Sequence, residues 1–237
     1  MIEFNTEGIA PTAASIRDLH TGKFREVLPG ILMIKGAKNP RGFDQGYGIL
    51  KGKDLVLIDI VEEAYKEAVE YLLHNGFNIK AILITGKGVT KDAYADFESL
   101  SKDAGDADIY VHPDITPQDY ETKALNRRDE LLSKFDLEPH VVPGKEGQVV
   151  LYCSKHNGIV FTGDSALGSD YGTDELLFTR GREQKGKEAF PVEEFWQGFS
   201  KDFDYFFPRQ GKPAIEVDVR TRTSLLDRLA RGEAGLE

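Results

Sequence analysis

Residues 79–97 constrain this chain more than any other stretch. The apolar run Ile82-Leu83-Ile84 ends at Thr85, turns through Gly86-Lys87-Gly88, and enters a helical pattern at Thr90. A short β-like apolar run reads as a strand, and the two glycines let backbone come close to a neighbour or a ligand. The pattern after the turn predicts a helix over 90–103, with Thr90 capping its first turn. Lys87 and Lys91 place positive charge at that helix start, where backbone N–H groups already favour an anion. The Gly-Lys-Gly is not a nucleotide-phosphate loop, because the Gly-x4-Gly-Lys-Ser/Thr spacing is absent.

The remaining pattern is mixed. Apolar runs at 30–35, 46–50 and 55–60 predict three strands of a meander. Residues 62–75 have helical spacing and stop at Asn75-Gly76. Strand 79–85, helix 90–103, strand 108–112, a helix over 117–134 and a short strand near 138–142 follow. Strands 148–154 and 158–163 form a hairpin through Lys155-His156-Asn157-Gly158. Helix 191–201, strand 204–207, a short strand near 214–218 and helix 221–231 complete the chain. Residues 1–25 read as an extended lead-in and 26–237 as one domain. Periodicity alone supports an α/β, sheet-rich fold with helices outside the sheets.

With a net charge of −10, the chain is a poor partner for nucleic acid or an anionic membrane. The basic run Arg180, Arg182, Lys185 and Lys187 reads as a solvated loop. The single Cys153 lies in an apolar alternation and reads as a buried structural thiol. No basic-then-apolar leader and no run of about 18 apolar residues is present, so the expected location is the cytoplasm.

Five landmarks, in order, resemble the metallo-β-lactamase superfamily. Leu-Val-Leu-Ile-Asp-Ile (55–60) is similar to the strand whose terminal Asp lies beneath the family's metals. Ala-Ile-Leu-Ile-Thr-Gly (81–86) is similar to the strand into the histidine loop. Val-Pro-Gly-Lys-Glu-Gly-Gln-Val-Val-Leu-Tyr (142–152) matches the segment that carries a later histidine. Ile-Val-Phe-Thr-Gly-Asp (159–164) matches the strand ending in the bridging Asp. Phe-Phe-Pro-Arg-Gln-Gly (206–211) matches the final Pro-Gly-His-Gly element. The resemblance implies a four-layer αββα sandwich.

It also implies a nearly empty metal site. The family's Thr-His-x-His-x-Asp-His loop is matched by Gly86, Gly88, Thr90 and Lys91 at its four ligand positions. The third-site histidine is matched by Lys145, beside Glu146, and the last by Gln210. Asp164 survives as a ligand type, with Asp59 as the supporting carboxylate. Zinc needs three or four imidazole, thiolate or carboxylate donors, so no cofactor, zinc included, is expected. An alternative mononuclear site draws on His112, His140 and Asp164, with both histidines at strand ends on the same rim; no spacing motif supports it.

Two readings of function follow. The first is a non-catalytic protein that binds a small anionic ligand or a protein partner in the remodelled cleft. That cleft comprises Asp59, Gly86, Lys87, Gly88, Thr90, Lys91, Lys145, Asp164 and Gln210; against an anion pocket stands the reading that Lys91 simply neutralises Asp164 or Asp59. The alternative is a divergent hydrolase of a small ester, lactone or thioester with a reduced or relocated metal site. A homodimer is left open. Phe195, Trp196 and Phe199, with Tyr205, Phe206 and Phe207, read as core, with an interface as the alternative.

Overall fold

The computed structural model describes residues 2–3, 16, 18–39, 42–91, 96–115, 117, 120–143, 147–169, 171 and 190–232. Eight strands pair in chain order to form one sheet. They are β1 (Ile2–Glu3), β2 (Phe24–Leu28), β3 (Ile31–Asn39), β4 (Gly42–Lys51), β5 (Asp54–Ile58), β6 (Asn78–Leu83), β7 (Asp108–Val111) and β8 (Lys123–Ala124). From β2 to β5 the pairing is antiparallel, and from β5 to β8 it is parallel. A second sheet has the order β12-β11-β10-β9, from β9 (Leu137–Val141), β10 (Val149–Cys153), β11 (Ile159–Gly163) and β12 (Tyr205–Pro208). The predicted hairpin is β10–β11, and its turn puts His156 and Asn157 at positive φ.

Alternation along the strands sorts the core into three layers of contact, because successive side chains leave opposite faces of a sheet. Val56, Ile58 and Leu83 of the first sheet meet Leu151, Cys153, Phe161 and Phe207 of the second. On the outer face of the first sheet, Leu55, Leu57 and Ile82 pack on Val69 and Leu72 of helix Lys66–His74 and Leu100 of helix Phe97–Asp103. On the outer face of the second, Val150, Val160 and Phe206 pack on Trp196 of helix Phe190–Gly198 and Leu225 and Leu229 of helix Val219–Arg231. The order is helix, sheet, sheet, helix. Cys153 is fully buried; Phe195, Trp196, Phe199, Phe203 and Phe206 form the outer core of the second sheet, while Tyr205 and Phe207 face the core between the sheets. Within the expected lead-in, Ile16 and Leu19 join the core between the sheets.

Three elements differ from expectation for local reasons. The helix expected over 90–103 is two helices, Lys87–Lys91 and Phe97–Asp103. The second begins where the Asp96 carboxylate accepts from the Ser99 N–H at 2.7 Å, an N-cap that stops the helix from extending backward. The helix expected over 117–134 is confined to Glu130–Lys134, capped by Asp129, because Lys123–Ala124 upstream pair with β7. The strand expected near 214–218 is a single bridge between Phe206 and Ala214. No helix among the described residues is long and apolar enough to cross a membrane.

Candidate functional site

The candidate site lies where strands of both sheets end. β5 and β6 run parallel and deliver Asp59 and Thr85; β11 and β12 run parallel and deliver Asp164 and Arg209. The sheets are tied together at this rim. Val149 at the start of β10 donates its N–H to the Thr85 carbonyl at 2.7 Å, and Gln45 of β4 donates to the Arg209 carbonyl at 2.7 Å. Tyr47 Oη donates to the Pro208 carbonyl at 2.6 Å, and Gln45 Nε2 donates to the Gly211 carbonyl.

Asp59 is 3% exposed and takes up a left-handed φ of 55°, a conformation Asp tolerates better than most residues. Its two oxygens accept from Thr85, Oδ1 from the N–H at 2.9 Å and Oδ2 from the hydroxyl at 2.8 Å. Burial pushes its carboxyl up to about 6, against the opposing pull of the Thr85 hydrogen bonds and the Arg209 charge. The neighbouring Gly163 has a φ of +53°, and a Cβ there would collide with the Thr85 hydroxyl, so only glycine fits.

The Lys91 side chain, expected to neutralise these carboxylates, lies outside the described residues, and the cation seen beside Asp164 is Arg209. Its guanidinium, 2% exposed, donates from Nη1 to Asp164 at 3.2 Å (Oδ1) and 3.4 Å (Oδ2). Nη2 lies 3.8 Å from Glu62 Oε1 and 4.0 Å from Asp44 Oδ1. Arg209 was visible in the sequence as a charge ending the apolar run Tyr205-Phe206-Phe207-Pro208, but its partners stand 45 to 165 positions away. Thr85 stood in the 81–86 landmark without a role assigned to it, and Glu62 and Asp44 lay in no motif.

The other expected site residues divide. Gly86 is buried and Gly88 half-buried beside Asp164, whose Oδ2 lies 2.5 Å from where a Cβ at residue 88 would stand. Lys87 is exposed. Thr90 does not cap a helix start: it lies inside helix Lys87–Lys91 and its hydroxyl donates to the Lys87 carbonyl at 2.8 Å. Gln210 is partly exposed and bridges Asp44 through the backbone. The Lys91 side chain, all of Lys145 and Glu146, and the basic run 180–187 lie outside the described residues.

His112 and His140 keep separate company. His112, just past β7, accepts from the Asp114 N–H at 3.2 Å. His140 is the next-to-last residue of β9, paired with Val150, but its side chain leaves the face of the sheet away from Asp164. It lies 3.2 Å from Glu138 and edge-on to Phe199, on the outer, helical side of the second sheet. Burial lowers its pKa.

No family model matches the chain, and no curated protein matches it. Solved structures do. The metallo-β-lactamase DIM-1 aligns over 90% of this chain and 99% of its own, at 15% identity and a TM-score of 0.62. The mono-zinc form of FIM-1 from Pseudomonas aeruginosa aligns over 90% and 96%, at 18% identity and a TM-score of 0.62. A metallo-β-lactamase family protein from Thermus thermophilus aligns over 87% and 78%, at 15% identity and a TM-score of 0.58.

The chain has the metallo-β-lactamase fold.

At these identities the likeness speaks to architecture alone. The metallo-β-lactamase fold implies a zinc centre, and the residues present do not fit one. Two loop positions have no side chain, Asp164 is engaged by a guanidinium, and both Asp59 oxygens are engaged by Thr85. Among the described residues, which include all five histidines and the cysteine, no three donor side chains are grouped to hold a metal ion.

Proposed function

We propose that this metallo-β-lactamase-fold protein works in the cytoplasm without a metal cofactor and without hydrolysis, binding a small anionic ligand or a protein partner at the rim of the remodelled cleft. The observation that carries this reading is the Arg209 guanidinium, buried against Asp164 with Glu62 and Asp44 beside it. Zinc hydrolases depend on a cation that lowers the pKa of a bound water. Here the positive charge beside Asp164 belongs to a guanidinium, which offers no coordination position at which a water could be activated.

The ligand reading rests on the loop. Lys87 is exposed between the buried Gly86 and the half-buried Gly88. Because Arg209 already faces three carboxylates, an anion would be held by Lys87 with Lys91 and Lys145 rather than by the guanidinium.

Thermal shift with phosphate, simple carboxylates and phosphorylated metabolites tests the ligand. Stabilisation that is lost in Lys87→Ala or Lys91→Ala supports an anion; a flat panel directs the search to protein partners. Ester, lactone and thioester substrates, offered with and without zinc, test the absence of hydrolysis. Turnover that disappears in Asp164→Asn would overturn the non-catalytic reading. The raised pKa of Asp59 is the one feature favouring hydrolysis, as a metal-free acid–base group. Its burial and its two hydrogen bonds to Thr85 keep it from a substrate.

A further inference from the structure

The disagreement between the fold and its donor set has a specific cause. We infer that Arg209 is the built-in cation of this cleft, and that its pairing with Asp164 over a bare Gly88 closes the site to divalent metal ions.

Three observations carry it. First, the backbone that carries the guanidinium is fixed from both sheets. The Arg209 carbonyl accepts from Gln45 at 2.7 Å, its N–H donates to Gly163 at 3.2 Å, and the preceding Pro208 carbonyl accepts from Tyr47. The side chain itself is 2% exposed and paired with Asp164, so it leaves the cleft only by breaking that pair. Second, it is paired with Asp164, the residue that matches the family's bridging aspartate, with Glu62 and Asp44 within 4.0 Å. A divalent ion bound by those carboxylates would stand beside a fixed positive charge in a buried setting, where repulsion is poorly screened.

Third, the empty loop and the ion pair require each other. Asp164 Oδ2 stands 2.5 Å from where a Cβ at residue 88 would lie. Any side chain there, including a ligating imidazole, displaces the Asp164 carboxylate and weakens its pairing with the guanidinium. Restoring the loop histidine alone therefore leaves a metal site still blocked by Arg209. The inference concerns the same cleft as the proposed function but does not depend on what binds at its rim.

The test compares the wild type with Arg209→Lys, Arg209→Gln and Arg209→Ala, by melting temperature and by zinc retained after equilibrium dialysis. The wild type is expected to retain far less than one zinc per chain and to show no stabilisation by zinc. Arg209→Ala is expected to melt about 10 °C lower, from carboxylates left without their buried counter-charge. Zinc, or guanidinium at low millimolar concentration, should restore part of that loss. Arg209→Lys should retain more stability than Arg209→Gln, because it keeps the charge.

One tightly held zinc in the wild type, lost in Asp164→Asn, overturns the inference. So does an Arg209→Ala protein that melts with the wild type and gains nothing from either cation. If Arg209→Ala does not fold, the wild-type zinc measurement and the lysine–glutamine comparison decide alone. Hydrolysis in a wild type that holds no metal would sink the proposed function and leave this inference standing.

Discussion

Asp164 leans over Gly88 so closely that its Oδ2 lies 2.5 Å from where a Cβ at residue 88 would stand, while Arg209 holds the same carboxylate from another side at 3.2 Å. The absence of a side chain at 88 is thus part of an ion pair formed between residues 164 and 209.

That relationship predicts a coupling energy. Gly88→Ala displaces only the end of a side chain, so its cost comes from the weakened pair, about 1–2 kcal/mol in chemical denaturation. In an Asp164→Ala background the same change should cost close to nothing, because residues in direct contact are non-additive. Equal costs in both backgrounds would show that Gly88 is required for some other reason.

Asp59 predicts a pH dependence. Its folded pKa, about 6, lies above its unfolded value of 3.8. The native state therefore binds the proton more tightly, and the associated stability is fully present below pH 3.8 and lost as pH rises through 6. Its size is at most about 3 kcal/mol, from roughly 1.4 kcal/mol per unit. Arg209 and Asp164 act on this group, with Tyr47 and Tyr65 facing it. Denaturant titrations from pH 4 to 8 should show this component in the wild type and lack it in Asp59→Asn.

Thr85→Val keeps the shape but removes the hydroxyl bonded to Asp59 at 2.8 Å. Thr85 is 1% exposed, so water cannot replace the donor. The expected cost at pH 7 is about 1–3 kcal/mol. The Asp59 carboxyl, followed by NMR, should titrate higher than in the wild type, since a hydrogen bond to its charged form is gone.

Trp196 is fully buried, with Phe195, Phe199 and Phe206 around it. Trp196→Ala should cost about 3–5 kcal/mol, the range for a large aromatic removed from a core. The mass in solution should stay the same, because the ring packs within the chain. A change in mass with stability retained would place this residue in an interface.

The boundaries between legible and hidden features follow the range of the interactions. Continuous apolar runs at 55–58, 149–153 and 159–163 marked strands buried on both faces, while which side chains met the other sheet and which met the helices had no signal in the sequence. The loss of histidines at Gly86 and Gly88 could also be read directly, and it predicted a cleft without the usual donors. The Asp96 cap was local too, but it competed with a continuous helical pattern and won only through its hydrogen bond to Ser99. Arg209 was different. Its identity stood in the sequence beside Gln210, yet its role depends on Asp44, Glu62 and Asp164, brought to it by three separate chain segments. By itself, then, the sequence determined which side chains were available and which faces had to be buried. Only the tertiary structure decided which charge met which, because Coulomb attraction acts through distance in space and carries no periodic signature along the chain.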